Sequence, residues 1–177
     1  MPMTGEESSV LAGGCTRERA RYMAILVGAN APDFTLSGWY DNAETRFSLS
    51  AERGRPVVLA FYPGDERLVC SRQMCAYSDS IADLHLYDAV VWGISPQDVE
   101  SHRMFAEGKK LKMPLLADPA KGIAREYGIV GPMGLRRSVF VVDASGRIAW
   151  RWVAALGFQF PGIDEIRRAV ADVKAAA

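Results

Sequence analysis

The sequence has little cysteine and histidine and no excess of charge. Three Cys and two His among 177 residues are too few for a disulfide-rich scaffold, and this favours a reducing compartment. The 21 Lys and Arg balance the 21 Asp and Glu, so we expect no binding to nucleic acid or to an anionic membrane surface. No apolar run approaches the roughly 20 residues that cross a bilayer, and we predict no membrane segment.

The first 22 residues are polar and charged, and they lack the apolar core of a secretory signal. We predict a flexible extension over residues 1–22, which contains Cys15, followed by one domain over residues 23–177. A hydrophobic fraction of 49% with 24% charged residues is ordinary for a globular domain. The expected location is the cytoplasm.

The other two cysteines, Cys70 and Cys75, lie where a predicted strand gives way to a predicted helix. The run 56–62 is β-branched and aromatic and is bounded by Gly54 and Pro63, as in a strand buried on both faces. After it, one stripe of an amphipathic helix recurs at steps of three and four: Cys70, Met74, Tyr77, Ile81 and Leu84. Cys70 therefore falls in the first turn, where unpaired N–H groups and the helix dipole favour the nucleophilic thiolate.

Cys75 cannot reach Cys70 while this helix is intact. Five residues turn an ideal helix through about 500° and advance it by about 7.5 Å, so the two thiols point about 140° apart. The implied Cα separation, over about 8 Å, exceeds the roughly 7 Å limit for a disulfide. A disulfide between these thiols requires the first turns of the helix to unwind. The sequence has no Cys-x-x-Cys pair, which would avoid such a rearrangement.

The cysteine pair has two other interpretations. Free cysteine packs as a small hydrophobe, so both residues could be inert members of a helix, although the strand, turn and helix context argues against this. A structural zinc site takes four ligands, and only Cys15, His85 and His102 are left to complete one. We predict that the two histidines occupy surface or capping positions.

Several segments are similar to those of a known family. Phe61-Tyr62-Pro63 leads into the Cys-x4-Cys spacing, and the other similar segments are 28–36, 101–105, 113–118 and 137–143. Together they cover about residues 24–175. These segments resemble the peroxiredoxins, and within them the bacterioferritin-comigratory-protein or PrxQ type, of which the Cys-x4-Cys spacing is characteristic.

The resemblance implies an α/β chain with a thioredoxin-like fold, in which a mixed central sheet has helices on both faces and an N-terminal β-hairpin. It implies reduction of hydrogen peroxide and organic hydroperoxides, with Cys70 as the peroxidatic and Cys75 as the resolving cysteine. Arg137 matches the arginine that stabilises the thiolate and orients the peroxide, and Pro63 matches the proline that shields the sulfur. Thioredoxin or a similar dithiol would reduce the Cys70–Cys75 disulfide. No cofactor is implied, and we expect a monomer or weak homodimer.

Arg67 departs from the family pattern, which has Thr or Ser three residues before the peroxidatic cysteine. A hydroxyl can bond both the sulfur and the peroxide, whereas a guanidinium only donates and is larger. Arg67 either donates a second hydrogen bond to the peroxide or swings out and leaves the site one hydrogen bond short. We expect retained activity, because both thiols, Pro63 and Arg137 are present. Two rival functions stay open: a redox sensor or weakly active protein of the same fold, and a general dithiol-disulfide oxidoreductase.

Alternation and turn residues predict the strands of this fold. The N-terminal hairpin turns at Asp41-Asn42 between strands near 34–36 and 45–49. A buried strand covers 88–94, and a second hairpin joins 137–142 to 147–153. Strands that alternate with helices before an antiparallel pair indicate a mixed sheet.

Capping residues predict the helices that connect the strands. Ser95 is expected to cap a helix that has Pro96 at its first position and runs to about Lys110. Asp118-Pro119 is expected to begin a helix that ends at Gly128. A terminal helix has one apolar face, formed by Ile163, Ile166, Val170 and Val173.

Overall fold

The computed structural model describes residues 23–65, 67–155 and 158–176. The predicted extension over residues 1–22, with Cys15, lies outside the described residues. The strands, in chain order, are β1 (Thr35–Tyr40), β2 (Ala43–Ser48), β3 (Val57–Phe61), β4 (Val90–Ser95), β5 (Leu115–Ala117), β6 (Val130–Gly131), β7 (Gly134–Leu135), β8 (Ser138–Val142) and β9 (Ile148–Val153). The helices are α1 (Leu68–Asp79), α2 (Ile81–His85), α3 (Val99–Lys109), α4 (Gly122–Glu126) and α5 (Ile163–Ala175), and a 3-10 turn covers Leu49–Glu52.

Seven of these strands form one mixed sheet, in the order β2-β1-β5-β4-β3-β8-β9. β3 and β4 are parallel, as are β4 and β5, and the other neighbours are antiparallel. Both predicted hairpins form, and the mixed sheet is confirmed. Asp41 and Asn42, which join β1 to β2, have φ values of 50° and 60°, the left-handed values that a tight hairpin turn needs and that these residue types tolerate.

Side chains alternate between two cores along β3, because successive residues of a strand point to opposite faces. Val58 and Ala60 pack in one core with residues of α1, α2, α3 and α5. Val57, Leu59 and Phe61 pack in the other core with residues of α4 and of the segment before β1. All five are at most 2% exposed. The strand is thus buried on both faces, as predicted.

The predicted stripe around Cys70 is also confirmed, since each of its five members is at most 8% exposed. The helix that carries the stripe is interrupted, however. α1 ends at Asp79, Ser80 lies between the two helices, and α2 begins at Ile81. Cys70 is the third residue of α1 and therefore lies in its first turn.

Two helices begin later than predicted. Ser95 is the last residue of β4 and its carbonyl oxygen accepts from the Asp118 N–H at 2.8 Å, so it belongs to the sheet and caps no helix. Asp98 caps α3 instead, with its carboxylate accepting from the Ser101 N–H at 2.8 Å. Likewise, the Asp118 carboxylate accepts from the Gly122 N–H at 2.7 Å, and α4 begins only there. None of the helices in the described ranges combines the length and the hydrophobicity of a transmembrane segment.

Candidate active site

The pairing of β3 with β8 brings the loop before α1 next to Arg137. Phe61, the last residue of β3, is in register with Ser138, the first residue of β8. Arg137 precedes Ser138 and therefore lies beside the loop that leads from β3 into α1. The first hydrogen bond of α1 runs from the Ser71 N–H to the Arg67 carbonyl oxygen at 2.8 Å. The amide of Cys70 comes before it, among the N–H groups of the first turn that have no partner within the helix.

Arg137 contacts the sulfur of Cys70 directly. Its Nη2 donates to Cys70 Sγ at 3.1 Å, and its Nη1 donates to Oε1 of Gln73, one turn further along α1. Cys70 and Gln73 are completely buried, and Arg137 is only 2% exposed. A guanidinium keeps its charge in a protein, so Arg137 places a fixed positive charge against this sulfur. The structure thus places two of the predicted site residues in contact.

Gln73 extends this contact into a chain of hydrogen bonds that reaches the segment before α5. Its Nε2 donates to Tyr77 Oη at 3.4 Å, and Tyr77 Oη donates to the Pro161 carbonyl oxygen at 2.9 Å. Burial raises the pKa of Tyr77, so the phenol keeps the proton that it donates. Gln73 is not among the predicted site residues, although the helical period places a residue one turn after Cys70 on the same helix face.

A second buried polar cluster lies at the start of the same loop. Tyr62 Oη donates to Asp65 Oδ1 at 2.7 Å, and Asp65 Oδ2 lies 2.8 Å from His102 Nδ1. Burial raises the pKa of Tyr62 well above its usual value, and the charges of Asp65 and Cys70 act in the same direction. Tyr62 therefore stays protonated beside Asp65.

His102 is completely buried, so its predicted surface or capping position is wrong. Its Nε2 lies 3.1 Å from the Leu116 carbonyl oxygen, on the side of the ring opposite Asp65. Phe105 and Ala106, three and four residues further on, are buried too, so the helical period places His102 on the core face of α3. His85 is exposed, as predicted.

Arg67 is exposed, and among the contacts of the described residues its guanidinium does not bond Cys70. Its backbone carbonyl begins α1, but its side chain makes no capping hydrogen bond. Its guanidinium thus does not contact the thiol, and whether it donates to a bound peroxide stays a prediction.

Pro63, Arg67 and Arg137 line one cavity of about 650 Å³, here called the active-site cavity. Arg137 both lines this cavity and bonds Cys70, so this side chain connects the cavity with the buried sulfur. A cavity of similar size, about 670 Å³, lies beside Trp150 and α5, but none of the predicted site residues lines it. Three of the five predicted site residues thus line the active-site cavity.

Comparison with known proteins agrees with this arrangement. Residues 27–151 match the AhpC/TSA family. The chain is 36% identical over 135 residues to Peroxiredoxin Q, chloroplastic, of Sedum lineare, covering 73% of this chain and 70% of that relative. It is 36% identical over 138 residues to Peroxiredoxin Bcp of Bacillus subtilis, covering 73% and 86%. The chain belongs to the AhpC/TSA family, as a peroxiredoxin of the Q and Bcp type.

Solved structures are similar to this peroxiredoxin over most of its length. Enterococcus faecalis AhpC is 26% identical with a TM-score of 0.78, covering 85% of this chain and 94% of that one. Xanthomonas campestris Peroxiredoxin Q has a TM-score of 0.71 and covers 84% and 97%; at 22% identity, this likeness shows the fold alone. The predicted thioredoxin-like fold is confirmed.

The two thiols of the peroxiredoxin are free and differ in exposure. Cys70 is buried and Cys75 is half-buried. Both belong to α1, so the intact helix separates them as the helical geometry predicts. Within the described ranges, no group of three or more His, Cys, Asp or Glu side chains is placed to hold a metal ion.

Proposed function

We propose that this peroxiredoxin reduces hydroperoxides with Cys70 as the nucleophile. The thiolate attacks one peroxide oxygen, and the S–O bond forms as the O–O bond breaks. The other oxygen leaves with the electron pair, takes up a proton and becomes water or an alcohol. Cys70 is thereby oxidised to a sulfenic acid, and the peroxide is reduced by two electrons.

The contact between Arg137 and Cys70 at 3.1 Å is the observation that carries this proposal. The same guanidinium can stabilise the thiolate before the reaction and the negative charge that develops on the leaving oxygen. Gln73 holds the other side of the guanidinium, so the group needs no reorientation during the reaction. Pro63, on the cavity wall, is proposed to shield the sulfur.

We propose that Cys75 resolves the sulfenic acid. Its thiol attacks the Cys70 sulfur, the S–S bond forms, and the hydroxyl leaves as water. This step requires the start of α1 to unwind, and the absence of a side-chain cap on Arg67 favours such opening. Thioredoxin or a similar dithiol then reduces the disulfide by exchange and is itself oxidised. The proposed setting is the cytoplasm, and the proposed state is a monomer or weak homodimer.

Mass spectrometry after one equivalent of hydrogen peroxide tests both cysteine roles. In the wild type, we expect a peptide crosslink between Cys70 and Cys75. In Cys75→Ser, we expect sulfenic or sulfinic acid on Cys70 and no crosslink. In Cys70→Ser, we expect Cys75 to stay reduced at the same peroxide dose. Oxidation that begins at Cys75 would reverse the proposed roles.

Turnover separates the rival functions. A peroxidase consumes peroxide continuously when thioredoxin and its reductase are supplied, whereas a redox sensor is oxidised once and stays oxidised. A general dithiol oxidoreductase reduces a protein disulfide such as that of insulin without consuming peroxide. A rate constant for Cys70 oxidation no higher than that of free cysteine would exclude the peroxidase.

A further inference from the structure

The active-site cavity is much larger than hydrogen peroxide requires. Its volume of about 650 Å³ lies in the range of about 300–1,000 Å³ that is typical of sites for small organic molecules. Large apolar side chains line it and yet stay exposed: Leu68 is 81% exposed and Met133 is fully exposed. Exposed apolar groups that cluster beside a reactive side chain are typical of a binding surface.

Two further cations line this cavity without an acidic partner. Arg67 and Lys121 lie on its wall together with Arg137. Arg137 is engaged by Cys70 and Gln73, but among the described residues neither Arg67 nor Lys121 takes part in a salt bridge. No acidic residue of the described ranges lines the cavity. Its potential is therefore positive and attracts anions.

Arg67 and Lys121 each lie at the start of a helix beside the cavity. Arg67 is the N-cap of α1, and a methyl group placed on Gly64 would lie 3.9 Å from its Nε, so its side chain lies against the loop before the helix. Lys121 is the N-cap of α4, has a left-handed φ of 55°, and donates its backbone N–H to the Asp118 carbonyl oxygen at 2.8 Å. The backbone of each cationic residue is thus fixed at the start of a helix that borders the cavity.

We propose that Arg67 and Lys121 select hydroperoxides that carry a carboxylate or another anionic group on an apolar body. This inference rests on the proposed function. The apolar body contacts Leu68 and Met133, the anionic group meets the two cations, and the hydroperoxide group reaches Cys70 beside Arg137. Where the family pattern has a hydroxyl group beside the sulfur, this chain then has a cation on the cavity wall that meets the anionic group of the substrate.

A matched pair of substrates separates charge from shape. The acid is cumene hydroperoxide with a para carboxylate, and the reference is the methyl ester of the same acid. Stopped-flow oxidation of Cys70 in reduced protein, with no reductant present, excludes any contribution from docking of a reductant. We expect the acid to react about three to ten times faster than the ester at low salt, and the ratio to fall as ionic strength rises.

Substitution of the cations tests their roles. Arg67→Gln and Lys121→Gln are each expected to lower the ratio of the rate constants for the acid and the ester about two- to fivefold. A change of this size corresponds to the loss of one exposed ion pair. Arg67→Lys keeps the charge and should keep most of the ratio. Arg72→Gln makes the same change of charge at an exposed position of α1 outside the cavity lining and should keep the wild-type ratio.

A wild-type ratio of one or less would overturn the inference. So would an unchanged ratio in the double variant Arg67→Gln/Lys121→Gln. If hydrogen peroxide still oxidised Cys70 rapidly in those cases, the proposed function would stand while the selectivity failed. If no peroxide oxidised Cys70, both would fail.

Discussion

Gln73 holds the guanidinium of Arg137 in place against the sulfur of Cys70. Gln73→Leu removes the acceptor from a buried donor, a loss that costs about 1–3 kcal/mol. We expect stopped-flow oxidation of Cys70 by hydrogen peroxide to slow by about tenfold, because Arg137 loses one of the hydrogen bonds that orient it toward the sulfur.

The matched control is Gln73→Asn, which keeps an amide acceptor and adds no charge beside the sulfur. Its rate should be higher than that of Gln73→Leu. A Leu variant as fast as the wild type would show that the hydrogen bond from Arg137 to Gln73 does not set the rate.

Asp65 and His102 form a pair whose side chains are at most 1% exposed. His102→Leu removes the ring that contacts Asp65 Oδ2 and leaves that buried oxygen without this partner, and we expect a loss of about 1–3 kcal/mol in the free energy of unfolding. The double variant Asp65→Asn/His102→Leu removes the buried charge as well and should lose less than His102→Leu alone. Urea denaturation of the reduced proteins measures the free energy of unfolding of each variant and of the single variant Asp65→Asn. A loss in the double variant equal to the sum of the two single losses would contradict the coupling.

Among single elements, α1 carries both thiols and starts without a side-chain cap. The backbone of its N-cap residue, Arg67, is extended (φ −68°, ψ 134°), which is the conformation that a capping Ser adopts. Arg67→Ser is therefore expected to stabilise the first turn by about 1 kcal/mol. Because the thiols can meet only when this turn opens, disulfide formation should slow by about fivefold.

Rapid quench with thiol alkylation, followed by mass spectrometry, measures this step after Cys70 has been oxidised. Arg67→Ala, which provides no cap, is the matched control and should form the disulfide faster than Arg67→Ser. Equal or faster disulfide formation in the Ser variant would show that opening of the first turn does not limit the step.

The starts of α3 and α4 show why some element boundaries could not be predicted from the sequence. Ser95-Pro96 has the local pattern of a helix start, but Ser95 pairs with Ala117 in the sheet, and this pairing outweighs the local preference. The Asp118 carboxylate does accept from the first N–H of a helix, but that helix begins four residues later. The strand β3 and the apolar stripe shared by α1 and α2 are confirmed, because burial against the core follows the same periodicity as the sequence.

At the scale of the whole molecule, the site residues that the sequence predicts belong to a family motif. The residues that it misses are brought together by contacts between distant segments. Cys70 and Arg137 lie 67 positions apart, and only the resemblance to a family related them before the structure did. His102 meets Asp65 across 37 positions, and no local pattern encodes that pairing. Arg67 was recognised as a departure, but its exposure follows from the packing around it.

The hydrogen bond from Tyr77 to Pro161 links α1 to the segment before α5, so opening of α1 should loosen both. Hydrogen exchange followed by mass spectrometry can compare the reduced protein with its disulfide form. We expect at least about tenfold faster exchange in α1 and in residues 158–163 after oxidation, while β4 and β8 keep their protection because they lie inside the sheet. Oxidised Cys75→Ser, which cannot form the disulfide, should exchange like the reduced protein. Equal exchange in the reduced and disulfide forms would mean that the thiols meet without the opening of α1, contrary to what its helical geometry requires.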